Sequence, residues 1–328
     1  MNLYRELAAR IGLGQSEIAP KLFAMLADET DARILLSLPG SVPDVHASLG
    51  LSQEEAEKRI KDLFFKGLVF PSHKTIPQSY RMGRDFVQFH DATILWKDAP
   101  VGFLDLWQEF MEKEWPEYAR RISDMLPKPF TRVIPVNVSI QAKTNILDFE
   151  SVGEMVKKAK VLAVTKCTCR LTARKCDRPL EACIQVNNAA SYALSRGTGR
   201  KISTVEALEI LRNAEEAGLI HVTMNKHEVE HFICNCCPCC CQTMPVLIKG
   251  GIHVVDPSRF RAEINGDLCK GCGTCHDRCY FTAISWENEE GSASRVEMEK
   301  CMGCGLCKVT CPENAIELIE SRPESFVP

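Results

Sequence analysis

"LCKGCGTCHDRCYFTAI", residues 268–284, is followed 32 positions later by "KCMGCGLCKVTCPENAI", residues 300–316. Both copies space their thiols C-x2-C-x2-C-x3-C. Gly271, Gly273, Gly303 and Gly305 sit among those thiols, where a residue without Cβ lets the backbone approach closely and turn its N–H groups toward sulfur. The wider composition agrees with a metal reading. The chain has 18 cysteines in 328 residues, far too long to be a small disulfide scaffold. The N-terminus lacks an apolar core with a small-residue cleavage site, and no run approaches the roughly 18 apolar residues that span a bilayer. The setting expected is cytoplasmic and reducing, where crowded cysteines read as metal ligands or redox thiols. Adjacent pairs such as Cys236 and Cys237 would also make strained disulfides. A net charge of −3 argues for neither nucleic acid nor membrane.

The repeat resembles the bacterial dicluster ferredoxin family. That resemblance implies two [4Fe-4S] clusters, with the fourth cysteine of each copy ligating the other cluster. One cluster would take Cys269, Cys272, Cys275 and Cys311, and the second Cys301, Cys304, Cys307 and Cys279. The second copy has the family's proline as Pro312, and the first has Tyr280 in its place, which would shield the cluster and alter local hydrogen bonding. The acidic "ENEEG", residues 287–291, reads as a hairpin turn between the copies. A pair of zinc knuckles is the competing reading, but structural zinc prefers two separated ligand pairs.

Ten thiols remain. Cys167, Cys169, Cys176 and Cys183 follow the short β-type run "KVLAVT", residues 160–165. Cys234, Cys236, Cys237, Cys239, Cys240 and Cys241 crowd into "ICNCCPCCCQ", residues 233–242. Between them "KISTVEALEILRNAEEAGLIHVT", residues 201–223, reads as a helix and strand: Ser203 with Glu206 forms a capping box, Leu208, Leu211 and Ala214 share a face, and Gly218 ends the helix. If the strands beginning near Val161 and Leu219 are neighbours, both ligand loops leave one sheet edge and share a cluster. Lys166, Arg170, Arg174, Lys175 and Arg178 would favour thiolates there, the alternative being a solvated basic face. His221, His227 and His231 are either ligands or ordinary core and surface histidines. Radical S-adenosylmethionine spacing and G-x-G-x-x-G are both missing, so no nucleotide or flavin is expected. The whole stretch resembles a cysteine-rich module that accompanies ferredoxin domains in anaerobic bacteria, which implies one or two additional [4Fe-4S] clusters.

The N-terminal part differs in character. "IAPKLFAMLADETDARILLSL" (18–38) and "VPDVHASLGLSQEEAEKRIKDLFFKGLVF" (42–70) give helices, and "SYRMGRDFVQF" (79–89) gives a strand. This order resembles a winged helix-turn-helix domain. Its third helix is expected over Gln53 to Lys66, with Ala56, Ile60, Leu63 and Phe64 inward and Glu54, Glu55, Glu57, Lys58, Arg59 and Lys61 outward. Residues 1–95 hold 11 Lys and Arg against 12 Asp and Glu. Duplex binding needs phosphate neutralisation, so a protein-docking role fits better than DNA binding. One linker helix, "GFLDLWQEFMEKEWPEYARRISDML" (102–126), carries an aromatic stripe that reads as core or as cover for a cluster or partner.

The expected architecture is an α+β multidomain chain. It comprises a winged-helix-like domain at 1–95, a linker helix and strand at 96–150, and a cysteine-rich α/β iron-sulfur module at 151–252. A ferredoxin-like domain at 253–320 and a tail at 321–328 complete it, the tail reading as loose or as a docking strand. The expected function is single-electron transfer within an anaerobic redox complex, through two ferredoxin clusters and at least one central cluster, to a partner protein or larger oxidoreductase. A redox-responsive regulator and a small-substrate reductase acting at the central site are the alternatives.

Overall fold

The structure, a computed structural model, describes residues 2–72, 77–136, 147–228, 231–287 and 292–328. The chain forms two compact units, Met1–Pro116 with Leu171–Ala173, and Glu117–Arg170 with Arg174–Pro328.

The first unit begins with α1 (Leu3–Arg10), α2 (Ala19–Leu26) and α3 (Glu29–Ser37). Next come β1 (Gly40–Ser41), α4 (Val42–Leu49) and α5 (Gln53–Lys66). The strands β2 (Val69–Ser72) and β3 (Ser79–Met82) complete a three-stranded antiparallel sheet of order β1-β3-β2. Ser52 caps α5 and Gly67 ends it in the left-handed region, while Ala56, Ile60 and Leu63 are buried. The expected strand over 79–89 stops at Met82. Asp85 then accepts from the Gln88 amide at 2.8 Å and starts α6 (Phe86–Ile94), because an Asx cap favours helix over continued strand. The expected single helix over 102–126 is two, α7 (Phe103–Lys113) and α8 (Trp115–Met125). Pro116 has no N–H to continue the ladder. At the break, the Glu114 carboxylate turns to accept from the amides of Glu17 (3.1 Å) and Ile18 (3.2 Å). The aromatic stripe is core in this unit: Phe103, Trp107, Phe110 and Trp115 are all buried, and Trp115 lies 4.4 Å from the Phe86 ring centre.

The second unit is organised by a seven-stranded sheet of order β10-β4-β8-β9-β6-β5-β7. In chain order its elements are β4 (Thr131–Ile134), α9 (Val152–Lys158), β5 (Leu162–Lys166), α10 (Thr168–Ala173) and β6 (Glu181–Val186). These are followed by α11 (Asn188–Ser195), β7 (Gly199–Lys201), α12 (Thr204–Glu216), β8 (Ile220–Met224) and β9 (His231–Cys236). Last come α13 (Met244–Gly250) and β10 (Val255–Asp256). Alternation along the strands divides the core between the faces. Ile134, Leu162, Val164 and Ile184 pack with Val152 and Val156 of α9 and Leu211 of α12, whereas Val133, Ile220 and Val222 pack with Met244, Val255 and Leu306. Ser203 caps α12 as expected, but the Glu206 carboxylate binds Arg200 at 2.6 Å instead of returning to the cap.

The strands beginning near Val161 and Leu219 are not neighbours. β6 and β9 lie between β5 and β8. β5 pairs antiparallel with β6, and β6 with β9, so β5 and β9 run in the same direction and end at the same sheet edge. The crowded-cysteine segment follows β9, not β8, and its first two thiols, Cys234 and Cys236, belong to the strand itself.

The C-terminal part adds the antiparallel pair β11 (Phe260–Ile264) and β14 (Ile316–Glu320). Between them lie α14 (Thr274–Arg278), β12 (Ile284–Ser285), β13 (Arg295–Val296) and α15 (Leu306–Thr310). β12 and β13 pair antiparallel, and most of the "ENEEG" turn expected there lies outside the described residues. The final residues are neither loose nor a strand: Glu324–Phe326 form a short 3-10 turn, and Lys128 donates to the Phe326 carbonyl.

Gly218 ends α12 at φ +73°, and a Cβ there would stand 2.6 Å from Arg278 Nη1 and 2.7 Å from Tyr280 Oη. Gly218→Ala is therefore expected to destabilise the second unit by about 1–3 kcal/mol through left-handed strain and displacement of those two side chains. Anaerobic chemical unfolding checks this, and an unchanged midpoint would contradict it.

Candidate metal centres

The two repeat copies fold alike. Gly271 and Gly303 adopt φ +66° and +65°, and Gly273 and Gly305, at +74° and +78°, start α14 and α15. Ala283 N–H donates to Cys279 Sγ and Ala315 N–H to Cys311 Sγ, each at 3.3 Å. Ala262 N–H donates to Cys301 Sγ at 3.4 Å. Such donors stabilise charge on sulfur.

Cys269, Cys272, Cys275 and Cys311 line one recess that is partly open to solvent. Cys301, Cys304, Cys307 and Cys279 face one another in a drier place. Burial pushes the Cys304 thiol up to about 12, and it drives Cys307 upward too. Thiols pushed up in this way are costly to ionise unless a cation takes up the charge, which suits a site that binds metal as thiolate. Each set has four thiols, the number that a [4Fe-4S] cluster takes as thiolates. Tyr280, standing where the other copy has Pro312, accepts from Arg178 Nη2 at 3.0 Å.

The ten central thiols divide into two groups. Six make a closed chain of sulfur contacts. Cys167 touches Cys169 and Cys183; Cys169 touches Cys241; Cys236 touches Cys241 and Cys234; and Cys183 touches Cys234. Their placement follows from the sheet. Cys167 directly follows β5, Cys183 lies near the start of β6, and Cys234 and Cys236 share a face of β9 as residues two apart must. Hydrogen bonds from Cys169 and Cys183 hold Cys167 down to about 3, and donation from Cys169 and Cys236 lowers Cys241 as well. The other four, Cys176, Cys237, Cys239 and Cys240, have sulfurs that all lie within 4.8 Å of one another.

The solvated-basic-face reading fails at Arg170, which is only 2% exposed. Its Nη1 donates to the Asn235 carbonyl at 3.0 Å, while Nε and Nη2 have no acceptor among the described residues. Burial alone would lower its pKa, but the charges of Cys167, Cys183 and Cys237 outweigh burial and raise it. A buried cation beside Cys167, Cys183 and Cys237 matches anionic sulfur better than neutral thiols. Arg178 donates from Nη1 to Cys239 Sγ at 3.6 Å and from Nε to the Ala217 carbonyl at 3.2 Å.

His221 is fully buried with both ring nitrogens occupied, Nδ1 by Asn235 Oδ1 at 2.5 Å and Nε2 by Glu215 Oε1 at 3.1 Å, so it is a packing histidine and not a ligand. His227 stacks on Phe149 at 4.1 Å. Asn235 was not singled out from the sequence, yet it joins β9, His221 and Arg170, and its Nδ2 donates to the Ala182 carbonyl at 2.5 Å. A lone amide between Cys234 and Cys236 was the available signal.

With this geometry in place, the comparison with protein families is direct. The model of the 4Fe-4S dicluster domain family matches residues 262–318, so the chain carries a C-terminal ferredoxin-type dicluster domain. No curated protein and no solved structure matches the chain. No described helix is long and apolar enough to cross a membrane.

A Cβ at Gly303 would lie 2.1 Å from the Phe260 carbonyl oxygen, a backbone atom that cannot step aside. Gly303→Ala is expected to lose about half of the iron of the dicluster domain, read by metal analysis and visible absorption. Full iron retention would show that this loop is not held as described.

Proposed function

We propose that the protein is an iron-sulfur electron-transfer protein or subunit, passing single electrons to a partner oxidoreductase in an anaerobic redox complex. The observation that carries this reading is the pair of interleaved four-thiol sets in the dicluster domain, Cys269, Cys272, Cys275 with Cys311, and Cys301, Cys304, Cys307 with Cys279. When bound, the clusters supply one-electron couples whose charge the protein has to balance. The chain's own residues do that balancing: Ala262, Ala283 and Ala315 direct amides at ligand sulfurs, and Tyr280 brings Arg178 beside the second set. We place a third cluster on the six-thiol group Cys167, Cys169, Cys183, Cys234, Cys236 and Cys241, with Arg170 as its buried counter-charge. Six thiols exceed the four a cube takes, and this surplus favours the small-substrate reductase as the second reading.

The order α3–β1–α4–α5–β2–β3, with sheet order β1-β3-β2, supports a winged-helix assignment for the N-terminal unit. A docking role suits it better than duplex binding. Arg59 of α5, expected to face outward, instead holds Asp28 (3.0 Å), Asp31 (2.8 Å) and Glu55 (3.1 Å), which removes one of three cations from the outer face of that helix.

Anaerobically purified protein is expected to contain about 12 irons with matching sulfide, and about 8 after Cys167→Ala with Cys234→Ala. About 8 irons in the unmodified protein would remove the central cluster, and iron-free, colourless protein would remove the relay. Duplex DNA should show no salt-dependent retention by the full-length protein, and retention that changes with oxidation would instead establish the regulator.

A further inference from the structure

The four remaining thiols call for a different ion. Cys176 Sγ lies 3.7 Å from Cys240 Sγ and 4.0 Å from Cys237 Sγ, and Cys239 Sγ lies 3.8 Å from Cys240 Sγ. These separations are far too long for disulfides, whose sulfurs are about 2.05 Å apart. They match the edge of a tetrahedron built on metal–sulfur bonds of about 2.3 Å, which is about 3.8 Å. A four-iron cube stands between its ligand sulfurs and spreads them much further apart than one ion does. The backbone points the same way. Three of the donors fall within four consecutive positions, on a turn fixed by Pro238, without the glycines and three-residue spacing of the dicluster repeats.

We infer that Cys176, Cys237, Cys239 and Cys240 bind a single zinc ion as tetrathiolate, and that this ion is structural. Zinc fits because it takes four thiolates in a closed tetrahedral shell and undergoes no redox change. Binding converts four thiols to thiolates with release of their protons, leaving the site with two negative charges. Arg178, whose Nη1 reaches Cys239 Sγ, offsets one of these.

The ion would also tie down an irregular stretch of chain. Residues 174–180 have no regular secondary structure, yet they carry both Cys176 and Arg178. Tying Cys176 to the turn after β9 holds this stretch in place, and Arg178 is thereby aimed at the Ala217 carbonyl and at Tyr280, the residue after Cys279. Zinc thus positions a side chain that touches both the central four-thiol site and the dicluster domain's unusual tyrosine. This assignment goes beyond electron transfer and does not depend on it, because zinc and iron are counted separately.

The test uses full-length protein purified without oxygen. One zinc per chain is expected beside the iron, and its X-ray absorption edge should report four sulfurs at about 2.3 Å. In Cys239→Ser, zinc should fall at least five-fold while iron and the visible spectrum stay unchanged. Because a variant can misfold, the absorption measurement on unmodified protein decides by itself. Zinc with nitrogen or oxygen neighbours, a single tetrathiolate iron in its place, or loss of about four irons in Cys239→Ser would each overturn the assignment. Failure of the relay would appear instead as missing iron with zinc present.

Discussion

Sulfur that binds metal as an anion and sits out of water has to be met by positive charge or by N–H groups, because unmatched buried charge is expensive. Much of the second unit can be understood as a way of meeting that demand. In the dicluster part the compensation comes from backbone: Ala262, Ala283 and Ala315 donate amides, and left-handed glycines allow the loops to come close enough. In the central module it comes from side chains. Arg170 stands beside Cys167 and Cys183 of the six-thiol group and Cys237 of the four-thiol group from a nearly water-free position, and Arg178 donates to Cys239 of the four-thiol group from a partly covered one.

Strand direction makes this possible. β5 and β9 run the same way and β6 runs against them, so the ends of two strands and the beginning of a third meet at one edge. Cys167, Cys183, Cys234 and Cys236 are thereby gathered from positions far apart in sequence. The Glu215–His221–Asn235 chain braces that edge from within, fixing the carbonyl to which Arg170 is bound. In the first unit, by contrast, Arg59 spends its charge on three carboxylates of its own neighbourhood.

The dicluster repeat was legible because its thiols are local: each copy carries three on one loop, and glycine and cysteine spacing describe that loop directly. The helix Gln53–Lys66 was legible for a related reason, since the Ala56, Ile60 and Leu63 stripe marks its face within one short stretch of chain. What could not be read depended on contacts distant in sequence. Nothing near "ICNC" says that it is itself the end of a strand, β9, paired with β8, since asparagine is a poor strand signal. Nothing near Arg170 says that it is buried, because its hydrogen-bond partner, the Asn235 carbonyl, lies 65 residues away in sequence. The division of ten thiols into six and four is likewise a property of the assembled sheet edge. The break at Glu114 was readable from Pro116, but the long aromatic period on either side masked it.

A ferredoxin on a flexible tether delivers its cargo by diffusing between stations. Here the junction allows no such excursion: Arg278 grips the carbonyls of Glu215 and Glu216 at 3.0 and 2.8 Å, and the space above Gly218 admits only a hydrogen atom. The dicluster part is therefore a fixed wall of the central module, and the separation between their sulfur centres is set once, when the chain folds, instead of being sampled at each encounter.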